Sequence, residues 1–351
     1  MSWPAREVIL AIDISAPAKV ATETADEETY LMDHPDSAEE IPILDITPAL
    51  AGADGGMEAV ARELRGITET VGFFYLTGHG ISSDLVDRVF AQSRRFHGLP
   101  AEEKAKVPHR FTDSFQSGYV PPATPRSKAA NVDIIAKAKP NLLAKFIVSR
   151  EFPTAHPNYK AMNVWPENLP GFRETVLEYH EAIEKLGRSF LPIWATSLNL
   201  PATFFDKFFE NPHLSLSLLN YPPQREIGNR QYGIAPHTDN SFMTFLAQSN
   251  LPGLAVRMPS GRWKAVDNIP GTFLVNTGNV MTRWTNDRYL STKHRVINTA
   301  NADRYSVPVF FGPSGDALIE CISTCVTDNY PRRHEPITYR QLREWYYGLR
   351  S

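Results

Sequence analysis

The sequence predicts a mixed α and β protein, with an all-β core flanked by α-helices. Three observations point there. Between Met57 and Leu200, apolar residues recur in places at three- and four-residue steps, the period of amphipathic helices. From Leu214 onward the chain changes to short apolar runs separated by Gly, Pro, Asn and Asp, as a closed all-β architecture requires. A chain of 351 residues with 42% hydrophobic content is also long enough to bury a substantial core, as one large domain or two closely merged ones.

In chain order, residues 1–40 read as a partly flexible N-terminal extension. From Glu23 to Glu40 there is no Lys or Arg, and the self-repulsion of the acidic side chains opposes packing. Residues 41–212 form a mixed helical and strand region that supports the core. Val60, Leu64, Ile67 and Val71 mark a helix over Met57 to Val71, and Gly72 to Leu76 reads as a buried strand. Ser82 or Ser83 is placed to cap a second helix through Leu85, Val86, Val89 and Phe90. A third and a fourth helix are expected around Gly171 to Leu200, with a break or kink near Pro192. Residues 213–320 form the β core, and residues 321–351 a C-terminal segment that returns to helix over Thr338 to Leu349.

Within the core, His237-x-Asp239 and His294 are the residue types that hold one ferrous ion on one face of its coordination sphere. Two imidazole nitrogens and a carboxylate oxygen leave roughly three of six octahedral positions open for an organic co-substrate and dioxygen. An oxygen-activating enzyme is therefore the leading reading. On an extended backbone, residues i and i+2 share a face, so the apolar surroundings of His237 and Asp239 aim both at one point. The same spacing at His34-Pro35-Asp36 lies in an acidic, proline-punctuated stretch, where no strand would aim the pair; it reads as a decoy. Lys293 to Asn298 and Arg304 to Val309 both read as strands, joined by the turn formers Thr299 to Asp303. Folded as a hairpin, they would set His294 opposite Arg304 and Ser306, which offer a guanidinium fork and a hydroxyl to a carboxylate near the metal. An Arg in an otherwise apolar strand needs such a counter-charge.

Bulk properties agree with a soluble enzyme. The net charge of −3 argues against nucleic acid as a partner. Cys321 and Cys325 have no second cysteine pair, so neither a zinc ribbon nor a disulfide framework is expected, and a reducing cytoplasm is the simpler home. The apolar run Val8 to Ile12 is far shorter than the roughly 20 residues of a membrane helix, and no signal peptide is read. No membrane partner is expected, and the chain should act as a monomer or weak homo-oligomer. Gly78-His79-Gly80 is no dinucleotide loop, since Ser83 stands at the third glycine position, and His79 reads as structural.

The ordered motifs also resemble a known family. His237-Thr238-Asp239, His294-Arg295-Val296 and Arg304-x-Ser306 are similar to the iron(II)/2-oxoglutarate oxygenases of the isopenicillin N synthase-like group. So, in order, are Ile41-Pro42-Ile43-Leu44-Asp45, Gly72-Phe73-Phe74-Tyr75, Phe96-His97-Gly98-Leu99-Pro100, Asn220-Tyr221-Pro222-Pro223, Pro252-Gly253-Leu254 and Asn276-x-Gly278. The resemblance spans about residues 41–350. It implies a double-stranded β-helix, or cupin-like jelly roll, with Fe(II) on His237, Asp239 and His294. It further implies 2-oxoglutarate and dioxygen as co-substrates, the far carboxylate of 2-oxoglutarate on Arg304 and Ser306, and Tyr221 as a further co-substrate contact. Oxidative decarboxylation to succinate and carbon dioxide would drive hydroxylation, desaturation or ring closure of a small organic substrate.

Some positions depart from the family pattern. Leu219 stands where many members carry Asn, and Asn220 falls on the neighbouring face; Gly278-Asn279 replaces the common Gly-Asp. Asp239, being a carboxylate, disfavours the halogenating variant. By resemblance, the second-substrate pocket is lined from Phe115 to Tyr119, from Asn141 to Val148, by Phe242 and Thr244, and by Phe311 and the C-terminal helix. Lys137, Lys139, Lys145 and Arg150 make its middle region basic, either as a solvated loop surface or to receive a carboxylate-bearing substrate. Two other readings stand beside this one: a family oxidase that uses iron and dioxygen without 2-oxoglutarate, and a non-catalytic jelly-roll binding protein.

Overall fold

The computed structural model describes residues 39–111, 116–123, 139–151, 163–224 and 231–347. The acidic arm as far as residue 38, with His34 and Asp36, lies outside them, as do Phe115 and Lys137. The first strands and helices alternate: β1 (Ile43–Asp45), α1 (Thr47–Leu50), α2 (Gly56–Thr70), β2 (Phe73–Thr77), α3 (Ser83–His97) and α4 (Ala101–Ala105). Helix α3 is capped by Ser82, whose side chain accepts the Leu85 N–H, so the first of the two candidate serines is the cap. Strands β3 (Arg110–Phe111), β4 (Gln116–Val120) and β5 (Ala144–Ser149) follow, and then α5 (Phe172–Ser197).

Helix α5 runs unbroken for 26 residues, where two helices were expected. Pro192 removes one backbone donor, at a cost of about 3 kcal/mol in a free helix. Phe190, Leu191, Ile193 and Trp194 on either side of it are all buried, and that packing holds the turns together. Gly187, on the same helix, lets the Phe311 ring approach to 3.0 Å of where a Cβ would stand, so helix and sheet sit unusually close.

The second half supplies β6 (His213–Tyr221), β7 (Ile234–His237), β8 (Met243–Gln248), β9 (Leu254–Arg257), β10 (Trp263–Ala265) and β11 (Phe273–Thr277). After α6 (Asn279–Trp284) come β12 (His294–Val296), β13 (Arg304–Gly312), β14 (Leu318–Ile319), β15 (Ile337–Thr338) and α7 (Tyr339–Tyr346). Helix α7 begins at a capping box made by Thr338 and Gln341. Two sheets face each other. The larger has the order β1-β2-β11-β8-β13-β6-β5-β4-β3, and the smaller β10-β9-β12-β7. This is the jelly roll, with strands from the N-terminal half widening its larger sheet.

Period-two alternation sorts the larger sheet into two faces. Phe74, Leu76, Phe245, Val307, Val309, Leu216 and Leu218 join Leu64, Val176, Ile183 and Trp194 in the helix-backed core. Phe73, Tyr75, Leu219, Tyr221 and Leu274 point the other way and meet Leu254, Val256 and Val296 of the smaller sheet. The expected β12 to β13 hairpin does not form. Strand β12 pairs with β7 and β9, whereas β13 pairs with β6 and β8, so the connection crosses from one sheet to the other. Asn298 stabilises the crossing by donating to the carbonyls of Tyr221 and Ala302. Among the described residues, no helix is long and apolar enough to cross a membrane.

Candidate active site

The cavity between the sheets collects the residues singled out in the sequence. His237 ends β7 and lies directly opposite His294 of β12, so the two imidazoles are a cross-strand pair with ring centroids 4.2 Å apart. Asp239 lies just beyond the end of β7, and the turn after it brings its carboxylate back to the pair. Its Oδ1 is 3.8 Å from Nε2 of His237 and 3.8 Å from Nε2 of His294, and the candidate ligand atoms of all three residues lie within 4.8 Å of one another.

The surroundings orient each donor. His237 Nδ1 is 2.8 Å from the Ala235 carbonyl and His294 Nδ1 is 3.2 Å from that of Thr292. A carbonyl only accepts, so in each ring Nδ1 carries the proton and Nε2 turns a lone pair to the centre. Phe73 meets the His294 ring edge-on at 5.3 Å. Asp239 Oδ2 accepts from Thr244 Oγ1 at 2.6 Å and Asn276 Nδ2 at 2.9 Å, residues that face each other across β8 and β11. Burial opposes the charge on Asp239, but His294 and His237, when protonated, and these two hydrogen bonds outweigh it and hold the carboxyl below its usual range. Asn279 secures the turn through its backbone N–H to the Asp239 carbonyl and its side chain to Thr238 and Asn240. Gly278 is obligatory there, since a Cβ would stand 2.1 Å from the Ser241 carbonyl oxygen.

Arg304 faces the same cavity from the larger sheet and is 1% exposed. Its Nε donates to the Leu251 carbonyl and Nη2 to Gln248, and its guanidinium lies 5.2 Å from the centre of the Tyr221 ring. Among the described residues Nη1 has no partner, and burial lowers the guanidinium pKa with no carboxylate opposing the shift. Ser306, two residues on, shares that face. Tyr221 lies opposite Arg304 in the ladder, and burial raises its phenol pKa against the opposing effects of Arg304 and Ser306. A buried cation without an anion costs several kcal/mol. Two neutral imidazoles and a carboxylate, with an unpaired guanidinium in the same cavity, fit a divalent iron ion and an anionic co-substrate together.

Other expectations require correction. Phe242 and Phe311 do not line the cavity; they pack behind the sheet among Trp194, Phe209 and Trp284. Pro308 and Phe310 occupy the cavity face instead, with Leu246 and Phe73. The alternation begun at Arg304 and Ser306 carries that signal. Thr244 does line the cavity, but its hydroxyl is committed to Asp239. Leu219 faces the cavity and His79 is turned away, bonded to the Gly271 carbonyl and the Ile81 N–H.

Comparison with known proteins agrees with this geometry. Residues 213–313 match the model of the 2OG-Fe(II) oxygenase superfamily, and residues 41–168 that of the N-terminal region of the non-haem dioxygenase in morphine synthesis. The chain is 35% identical over 314 residues to the 2-oxoglutarate-Fe(II) type oxidoreductase hxnY of Emericella nidulans, covering 86% of this chain and 87% of that one. This protein belongs to the 2-oxoglutarate- and iron(II)-dependent oxygenase superfamily. Among solved structures, a full-length Neurospora crassa protein in complex with α-ketoglutarate and thymine superposes with a TM-score of 0.78 at 28% identity, covering 88% of this chain and 97% of that one. JOX2 in complex with 2OG, Fe and JA gives 0.72 at 27% identity, covering 88% and 85%. The chain is therefore a non-haem dioxygenase that uses Fe(II), 2-oxoglutarate and dioxygen. The reading without 2-oxoglutarate and that of a non-catalytic binding protein find no support.

Proposed function

We propose that His237, Asp239 and His294 hold the ferrous ion, and that Arg304 and Ser306, with Tyr221 beside them, take the far carboxylate of 2-oxoglutarate. The observation that carries this reading is the buried Arg304 guanidinium, which lacks an anion among the described residues in the cavity that also holds the His-Asp-His cluster. When bound, iron and 2-oxoglutarate couple the reduction of dioxygen to decarboxylation and to hydroxylation, desaturation or cyclisation of a small organic substrate. The protein's own contribution is orientation and exclusion. Carbonyls fix both imidazole tautomers, and Thr244 and Asn276 engage one carboxylate oxygen so that the other faces inward. Phe73, Leu246, Leu254 and Phe310 keep the walls apolar, which limits water at the reacting centre.

Addition of ferrous iron and then 2-oxoglutarate without oxygen is expected to produce the weak visible absorption of an iron-bound keto acid; its absence would remove this assignment. Thr244→Val or Asn276→Ala is expected to weaken ferrous affinity by roughly 10- to 100-fold, because Asp239 loses a partner that aims it. An anaerobic iron titration giving wild-type affinity in both variants would mean the carboxylate needs no such support. The unpaired thiols of Cys321 and Cys325 favour a reducing, cytoplasmic setting. The net charge of −3 favours a partner other than nucleic acid, and a monomer or weak homo-oligomer without a membrane partner is part of the same proposal.

A further inference from the structure

We propose that Lys145 selects the second substrate, and that this substrate carries a carboxylate or a comparable anionic group. The inference rests on the assignment of the iron and 2-oxoglutarate site above and adds the class of molecule oxidised there. Lys145 lies within β5, opposite Leu219 on β6 and Val120 on β4. Residues directly opposite in an antiparallel ladder project to the same face. Leu219 lines the inter-sheet cavity and is itself opposite Ser306. Lys145, Leu219 and Ser306 thus form one row across three neighbouring strands on the catalytic face. At about 5 Å per strand, the backbone of Lys145 is about 10 Å from that of Ser306. The alternate residues Phe146 and Val148 face the helix-backed core.

Lys145 is only partly exposed, and its surroundings desolvate the ammonium enough to push its pKa down; among the described residues no carboxylate opposes that shift. His109 is near, its pKa lowered first by burial and then by Lys145, with Gln116 hydrogen-bonded to it. A neutral imidazole supplies polarity but no counter-charge. Phe111 meets the His109 ring at 6.2 Å and the Tyr347 ring edge-on at 5.1 Å, adding an aromatic wall. A desolvated cation beside aromatic surface suits an organic anion with an apolar body. Leu219 separates this cation from Ser306, so the two anionic ligands have separate anchors.

The test uses the enzyme loaded anaerobically with ferrous iron and 2-oxoglutarate, titrated calorimetrically with matched probes: benzoate and benzamide, cinnamate and cinnamamide, 3-phenylpropionate and its amide. At least one carboxylate is expected to bind about tenfold or more tightly than its amide, the gain of a charge-assisted contact. Lys145→Met should erase that preference and Lys145→Arg retain most of it, with 2-oxoglutarate affinity and thermal stability near wild type in both. The proposal is overturned if no carboxylate in the set is preferred over its amide, or if the preference survives Lys145→Met. It is equally overturned if Lys145→Met weakens 2-oxoglutarate instead. Failure of 2-oxoglutarate to bind the wild-type enzyme would overturn the underlying site assignment, so the two failures are distinct.

Discussion

His237→Ala is expected to abolish tight ferrous binding, by more than about 100-fold, while leaving the apo fold intact. The imidazole is partly open to the cavity, with its side chain 18% exposed, so its removal leaves little void in the core. It takes away one of three donors, and the backbone carbonyl of Ala235 that positioned its ring cannot replace it. The measurement is a thermal melt with and without ferrous iron under anaerobic conditions. A ligand that binds only the folded chain stabilises it by about 2.7 kcal/mol at a hundredfold excess over its dissociation constant. Wild type should show that gain and the variant should not, with both apo melts coinciding. A variant that melts early but retains the iron-dependent gain would make His237 an ordinary structural histidine.

The second large effect concerns Arg304. Arg304→Met is expected to leave iron affinity unchanged and to weaken 2-oxoglutarate by about 2 kcal/mol or more, roughly 30-fold, through loss of the charge-assisted fork. The apo protein should behave unlike most variants that lose a buried charge. Because Arg304 is buried without an anion among the described residues, replacing it by an apolar side chain of similar length removes a desolvation penalty, and apo stability should hold or rise. A loss of several degrees in the apo melting temperature would instead assign Arg304 a structural role through Leu251 and Gln248. Unchanged 2-oxoglutarate affinity would dismiss it as the anchor.

The residues that meet in the cavity were legible because chemistry and strand period coincide. His237, Asp239 and His294 are unusual residues in apolar surroundings, and the two-residue step from Arg304 to Ser306 marks a shared face. Nonlocal pairing was less legible. Thr299 to Asp303 has the composition of a hairpin turn, yet the strands on either side belong to different sheets, since composition describes the bend and not the partner each strand finds. Pro192 misled in the opposite direction, because burial on both sides of it outweighed a local penalty. Phe310 and Phe311 are neighbours in sequence, and only the parity counted from Arg304 tells which of them faces the cavity. The support of Asp239 by Asn276 depends on the pairing of β8 with β11, which no spacing along the chain encodes.

The crossing between β12 and β13 places the cluster of His237, Asp239 and His294 and the Arg304 guanidinium on opposite walls of a sandwich. Packed sheets keep a spacing of about 10 Å that side chains can adjust only slightly. If a co-substrate is held at both ends as proposed, it must bridge a fixed gap, and the enzyme acts as a caliper for carbon-chain length: an oxo diacid one methylene too short or too long is then expected to leave one of its two contacts unmade.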